Sequence, residues 1–279
     1  MNRINIFLEH IYEAAAQQGV SLKEMLMQAH DMGYSGLECD LARLKDREQT
    51  RELFDSCGMQ AASIYCFYDL PHESREDSLR KMTEHLNAAE YFGTKKVMVL
   101  PGFIFPGDNE EEAFQRICGC LEEMCSNAKK IGITVMVEDF DDLCSPCCDI
   151  EGLERLTNCV SGLGIAFDTG NFAYVTEDAA EALKRLHQHI VHVHLKDRSR
   201  DGSRRNADSS NVKADLSGQD MYPCEAGCGY VGMESIVKEL LASGYRGDFS
   251  VEHFGAADQT QYIRRSIENV QRWLREYSI

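Results

Sequence analysis

The sequence of 279 residues predicts one closed (β/α)8 barrel, an α/β fold with eight parallel strands. Three observations carry that expectation. Eight short, apolar, β-branched runs alternate with amphipathic stretches along the whole chain, and strict alternation favours a parallel sheet. Eight units of roughly 30 residues give the usual size of a closed barrel. An open doubly wound sheet normally shows a glycine-rich phosphate turn after its first strand, and none follows the first run here. No Pro- or Ser-rich linker divides the chain, so residues 1–279 are expected to form a single domain.

The strand candidates are Ile4 to Leu8, Gly36 to Cys39, Ala61 to Phe67, Lys96 to Leu100, Thr134 to Val137, Gly164 to Phe167, Ile190 to Leu195 and Phe249 to Val251. Between them, apolar residues recur at three and four positions, the period of one helix face. Leu22, Met25, Leu26, Ala29 and Met32 form the first stripe, opened by a Ser21/Glu24 capping box and closed by Gly33. Leu79, Met82, Leu86 and Ala89 form the second, and Phe114, Ile117, Leu121, Met124 and Ala128 the third. A weaker stripe holds Ile150, Leu153 and Leu156. Ala179, Ala182, Leu183 and Leu186 follow, then Ile236, Val237, Leu240 and Leu241. The last stripe is Ile263, Ile267, Val270 and Leu274. From about 198 to 232 the chain is irregular and rich in Gly, Ser, Asp and Asn. A loop that long in a compact domain is usually functional.

Composition excludes some partners. A net charge of -17 repels phosphodiester backbones, and the only short basic run is Arg198 to Arg205, so no nucleic-acid partner is expected. No stretch approaches the ~20 apolar residues of a membrane span, and the N-terminus lacks a signal-peptide core. The expected location is cytoplasmic. There, most of the 12 cysteines are expected to be free thiols packed as small hydrophobes. The clusters Cys144/Cys147/Cys148 and Cys224/Cys228 lack the paired spacing of a zinc ribbon. A homo-oligomer is compatible with the sequence.

In a barrel of this kind, the C-terminal strand ends carry the active site. The fifth run ends at Glu138, the sixth at Asp168, the seventh contains His194 and the eighth ends at Glu252. Each follows an apolar run. Charges at the mouth of an apolar cylinder cost several kcal/mol unless paired or bound to a cation. One shared divalent cation resolves the repulsion among three carboxylates. Three oxygens and one imidazole suit Mn²⁺, Mg²⁺ or Co²⁺ better than a thiolate-seeking metal, with Zn²⁺ also compatible and Mn²⁺ the first expectation. His192 lies on the same side of its strand as His194 and is expected one layer deeper, as a hydrogen-bonded core histidine. His253 is expected to pack behind Glu252. Lys196, Arg198, His10 at the end of the first strand, and Glu38 near the end of the second are candidates for the pocket wall.

At these residues the chain resembles the xylose isomerase-like TIM barrel superfamily of sugar-phosphate isomerases and epimerases. That group includes ketose 3-epimerases, hydroxypyruvate isomerase and inosose dehydratase. The resemblance spans nearly the whole chain. It is strongest in V-E-D-F at 137–140, F-D-T-G-N at 167–171, V-H-V-H-L-K-D at 191–197 and G-Y-R-G-D-F-S-V-E at 244–252. Gly227-Cys228-Gly229-Tyr230-Val231 is similar to the family's G-x-G-x turn before the last helix. The resemblance implies a metal held by Glu138, Asp168, His194 and Glu252, with Glu138 and Glu252 as the acid/base pair. Many members have His where this chain has Asn171, which can hydrogen-bond a substrate hydroxyl but carries no proton at neutral pH. Ketose 3-epimerases tend to have a carboxylate where this chain has Cys144.

The implied chemistry is proton abstraction beside a carbonyl, with the metal stabilising an enediolate and glutamates moving the proton. The substrate is expected to be a small carbohydrate or sugar phosphate, and the reaction an isomerisation or epimerisation. The alternatives are dehydration of an inosose-like ketone on the same site, an apurinic endonuclease, or a barrel that binds without turnover. The acidic surface and the shortage of histidine ligands argue against the endonuclease. Abasic duplex DNA incubated with the protein and Zn²⁺ is therefore expected to stay intact on a denaturing gel, and specific cleavage would reverse the assignment.

Overall fold

A computed structural model describes residues 2–206 and 211–277. Its strands are β1 (Ile4–Phe7), β2 (Gly36–Asp40), β3 (Gln60–Phe67), β4 (Lys96–Leu100), β5 (Thr134–Glu138), β6 (Gly164–Asp168), β7 (Ile190–Ser199), β8 (Lys213–Ala214), β9 (Asp220–Cys224) and β10 (Phe249–Glu252). The first seven pair in parallel in chain order, and β10 pairs in parallel with both β1 and β7. That double pairing closes the eight-stranded barrel the sequence predicts. All eight strand candidates lie within one residue of an observed strand, except that β7 runs four residues further than expected.

The helices are α1 (Leu8–Gln18), α2 (Leu22–Met32), α3 (Arg47–Ser56), α4 (Arg75–Phe92), α5 (Glu110–Lys130), α6 (Ile150–Cys159), α7 (Ala179–Leu186), α8 (Met233–Ala242) and α9 (Gln259–Tyr277). The seven apolar stripes fall on α2 and on α4 to α9. The expected Ser21/Glu24 capping box forms, and Gly33 closes α2 in the left-handed conformation. Two helices lack a readable stripe. α1 starts where β1 stops, so its Ile11, Ala14 and Ala15 merge with the strand's apolar run. α3 buries only Phe54. No helix among the described residues is long and apolar enough to cross a membrane.

Two apolar cores result. The larger fills the layer between sheet and helices. The smaller, inside the cylinder, comprises Phe7, Tyr65, Met98, Leu100, Met136 and Ala166. The strand period of two puts His192, His194, Lys196 and Arg198 of β7 in single file on the inner side. All 12 cysteines are free thiols. Among the described residues, neither cysteine cluster gathers three ligand atoms.

The long irregular segment is partly ordered as a hairpin. β9 pairs antiparallel with the extension of β7, Asp197 opposite Cys224 and Ser199 opposite Tyr222, and β8 pairs with β9. Residues 207–210 of that segment lie outside the described residues. Its basic run is consumed internally: Arg198 pairs with Asp141 (2.9 Å), Arg200 with Asp215 (2.5 Å), Arg204 with Glu225 (2.5 Å) and Arg205 with Asp220 (3.1 Å).

The glycine turn after the hairpin has a definite task. The buried Asp197 carboxylate accepts the backbone N–H groups of Arg198, Gly227 and Gly229, each at 2.9 Å. A concave row of amides is a natural cradle for an anion. A Cβ on Gly229 would lie 2.1 Å from Asp197 Oδ1 and 2.3 Å from the Arg198 carbonyl oxygen. Gly229→Ala is therefore expected to destabilise the protein by about 2–3 kcal/mol, since it displaces a buried carboxylate from its donors. Urea unfolding measures this, and a change below about 0.5 kcal/mol, the scale of an ordinary surface substitution, would remove the cradle from the account.

Candidate metal centre

Four strands deliver four side chains to one point. Glu138 closes β5, Asp168 closes β6, His194 lies within β7 and Glu252 closes β10. Each offers one ligand atom, and the four atoms all lie within 4.8 Å of one another. All four residues are buried. Glu138 Oε1 lies 2.5 Å from His194 Nδ1, and Glu252 Oε2 lies 3.5 Å from the same nitrogen. Asp168 Oδ1 accepts the backbone N–H groups of Gly170 (2.7 Å) and Asn171 (2.9 Å). That leaves Asp168 Oδ2 buried without a hydrogen-bond donor, and Glu252 Oε2 is in the same condition. Buried acceptors without donors are costly. Oxygens orphaned around one point, with one imidazole, are the donor set of a divalent cation, so the residues fit the ion.

Charge states reflect the same crowding. Burial drives the Asp168 carboxyl well above its ordinary value, against the pull of Lys196, and Glu252 and Glu138 push the same way. Burial also raises Glu138, which His194 lowers and Glu252 raises. Burial alone would lower His194, yet Glu38 and Glu138 hold it well above the usual histidine range. Asp139 sits behind Asp168 and accepts its backbone N–H at 2.8 Å.

Of the other expected residues, Asn171, Lys196 and Arg198 come together. Asn171 donates to the Asp139 carbonyl oxygen (2.7 Å) and accepts from Lys196 Nζ (2.9 Å) and Arg198 Nη2 (3.3 Å). Lys196 also pairs with Glu252 and approaches Asp168 at 3.5 Å. All three line a cavity of about 630 Å³ above the carboxylates. His10 does not reach it. β1 ends at Phe7, which takes the inward place at the cavity wall, and His10 lies in the first turn of α1. There it is fully buried, stacked on His253 with ring centroids 4.6 Å apart, and it accepts the His253 backbone N–H at 3.0 Å. His192 is buried beneath the site, as expected, and Glu38 lies with it rather than on the wall.

Two charged wall residues escaped the sequence reading. Asp141 pairs with both Arg198 (2.9 Å) and Lys213 (3.1 Å) across the cavity rim. The acidic run continuing past Glu138 was a signal for Asp141. Lys213 had none, because the two-residue strand β8 that holds it is too short to show a period. The opposite wall is aromatic, with Phe7, Tyr65, Phe67, Phe140 and Phe254.

Comparison with known proteins agrees with this architecture. The family model described as "Xylose isomerase-like TIM barrel" matches residues 26–277. An inosose dehydratase of Clostridium perfringens is 26% identical over 252 residues, covering 85% of this chain and 82% of that protein. A solved structure of the IOLI protein with a bound zinc atom superposes with a TM-score of 0.74 at 16% identity, covering 99% of both chains. L-ribulose 3-epimerase gives a TM-score of 0.74 at 15% identity, covering 99% of this chain and 96% of that one.

The raised groups set a pH dependence. Asp168 folded binds its proton above the ordinary value of 3.8, so the folded chain holds more protons than the unfolded one there, and stability falls as pH rises through that window. His194 contributes stability fully present below its ordinary 6.5 and lost as pH rises through its higher folded value. A cation displaces these protons. Melting temperature with chelator present should decline as pH rises above 6.5, the ordinary histidine value, and the increase caused by Mn²⁺ or Zn²⁺ should grow in the same direction. A metal-induced increase that is the same at every pH would contradict the proton displacement.

Proposed function

We propose that this chain, which belongs to the xylose isomerase-like TIM barrel family, is a divalent-metal-dependent enzyme that enolises a cyclic polyhydroxy ketone and expels a hydroxyl as water. The observation that carries this reading is the meeting, on the wall of one cavity, of a carboxylate to take a proton and an ammonium placed to give one. Glu138 is the first and Lys196, held by Glu252, Asp168 and Asn171, is the second. Similarity to an inosose dehydratase over 85% of the chain supports the same choice.

Glu138, Asp168, His194 and Glu252 would hold the metal, which when bound acts as a Lewis acid on a substrate carbonyl and so acidifies the neighbouring C–H. Glu138 accepts the proton from that carbon. Lys196 donates to the hydroxyl on the next carbon, which departs as water. The proton held by Glu138 then restores Lys196, so one water is lost and no oxidant or reductant is needed. Asn171 and Arg198 bind ring hydroxyls on the polar wall. The aromatic wall accepts the C–H face of the ring, as apolar faces of polyols require. Mn²⁺ remains the first metal to supply, and Zn²⁺ is supported by the neighbour that binds it.

The second reading is isomerisation or epimerisation, favoured by the convergence of Glu138 with a second glutamate, Glu252, on the same point. In it Glu252 returns the proton and no water leaves. One experiment separates the two. The protein with Mn²⁺ is incubated in deuterated water with an inosose-type cyclic ketone and a panel of ketoses and ketose phosphates. Deuterium should enter the substrate beside its carbonyl, and the cyclic ketone should lose one water. An epimer or isomer without water loss would select the second reading. Glu138→Gln and Glu252→Gln should each lower exchange at least ~100-fold. No exchange with any compound would remove both readings.

A further inference from the structure

Beneath the metal centre a file of polar side chains descends the barrel axis to its floor. His194 Nε2, the nitrogen turned away from the carboxylates, lies 3.2 Å from Glu38 Oε1. The same oxygen is hydrogen-bonded to His192 Nε2. His192 Nε2 also contacts Ser250 Oγ at 2.9 Å, while Nδ1 lies 3.1 Å from Lys96 Nζ. Lys96 Nζ is 3.6 Å from Asp248, which pairs with Arg3 at 2.7 Å. Glu38, His192 and His194 are fully buried. Burial pulls the Lys96 ammonium down, and Asp248 and Glu38 hold it up.

The order of donors along this file is fixed by one end. An ammonium has three donors and no acceptor. His192 therefore presents its Nδ1 lone pair to Lys96 and carries its proton on Nε2. That proton goes to Glu38. A carboxylate is acceptor-only, so the second bond to Glu38 comes from an N–H on His194 Nε2. In the metal-free protein Nδ1 of His194 donates to Glu138, so a cation that displaces this proton meets the lone pair on Nδ1, the nitrogen that faces Glu138 and Glu252. We infer that Lys96, at the floor of the barrel, is a remote positioning residue that sets the His194 tautomer for metal binding through His192 and Glu38. The inference rests on the metal reading above.

Glu38, His192 and His194 also bring their own ligand atoms together, the arrangement a second ion would need. The hydrogen bonds decide against it. Both Nε2 atoms bond to a single oxygen, and the remaining His192 nitrogen faces an ammonium.

Metal-stripped protein titrated with Co²⁺, followed by calorimetry and by the visible d–d spectrum, tests the relay. The wild type should bind one Co²⁺ per chain. Lys96→Met should weaken Co²⁺ binding ~10-fold and Glu38→Gln ~10–100-fold, the usual effect of losing a partner behind a metal histidine. The double variant Lys96→Met/Glu38→Leu should bind Co²⁺ no more weakly than Glu38→Leu alone, because without an acceptor at 38 the bond through which Lys96 acts is already gone. A purely structural role for Lys96 predicts losses that add. Lys96→Arg retains a donor-only group and should stay within about threefold of wild type. This variant keeps the test open if Lys96→Met does not fold, which melting of the metal-free forms reveals. Additive losses, two Co²⁺ per chain, or wild-type affinity in both Lys96→Met and Glu38→Gln would each overturn the relay. A wild type that binds no Co²⁺ would remove the metal reading as well.

Discussion

Mutual repulsion among Glu138, Asp168 and Glu252 is the constraint around which this barrel is organised. Three carboxylates cannot all ionise in an apolar cylinder without compensation. The chain supplies part of it from its own side chains. His194 faces two of the carboxylates, Lys196 faces the third with Glu252, and backbone amides of Gly170 and Asn171 hold Asp168. Two carboxylate oxygens are still left without donors. A divalent cation bound there would complete the balance.

The periphery follows from the same centre. Strand β7 rises past the barrel rim and carries Arg198 into contact with Asn171 and Asp141. Beyond it, the chain turns into a hairpin whose arginines are each matched by a carboxylate of the segment or its neighbours. Asp197 ties the far end of this excursion back to β7 through the Gly227 and Gly229 amides. A segment that reads as aperiodic thus has its ends fixed by charge, and it places Lys213 opposite Asp141 at the cavity edge.

The barrel and its four converging side chains were legible because each depends on a local signal. β-branched runs mark the strands, and a ligand-type residue follows the run on β5, β6, β7 and β10. What escaped depends on geometry without a period. α1 has no break from β1, so the strand was read one residue too long and His10 was placed at its end instead of in the first turn of a helix. α3 has too few apolar residues to show a face. Lys213 reaches the cavity from the two-residue strand β8, and Glu38 turns down to two histidines where its position in β2 suggested a wall residue. The arginine run was read as a short basic patch, because the carboxylates that neutralise it lie up to 57 positions away in the sequence.

Strand β7 has an evolutionary consequence. His192, His194, Lys196 and Arg198 share one side of a single extended segment, so the addition or removal of one residue within it would rotate every position beyond the change outward together. The two histidines and the two wall cations could not be lost one at a time by such an event. Length variation has a safe outlet only past Ser199, where pairing with β9 ends. Diversification of what enters the cavity would then proceed by remodelling the rim, while the strand below it keeps an unchanging reading frame.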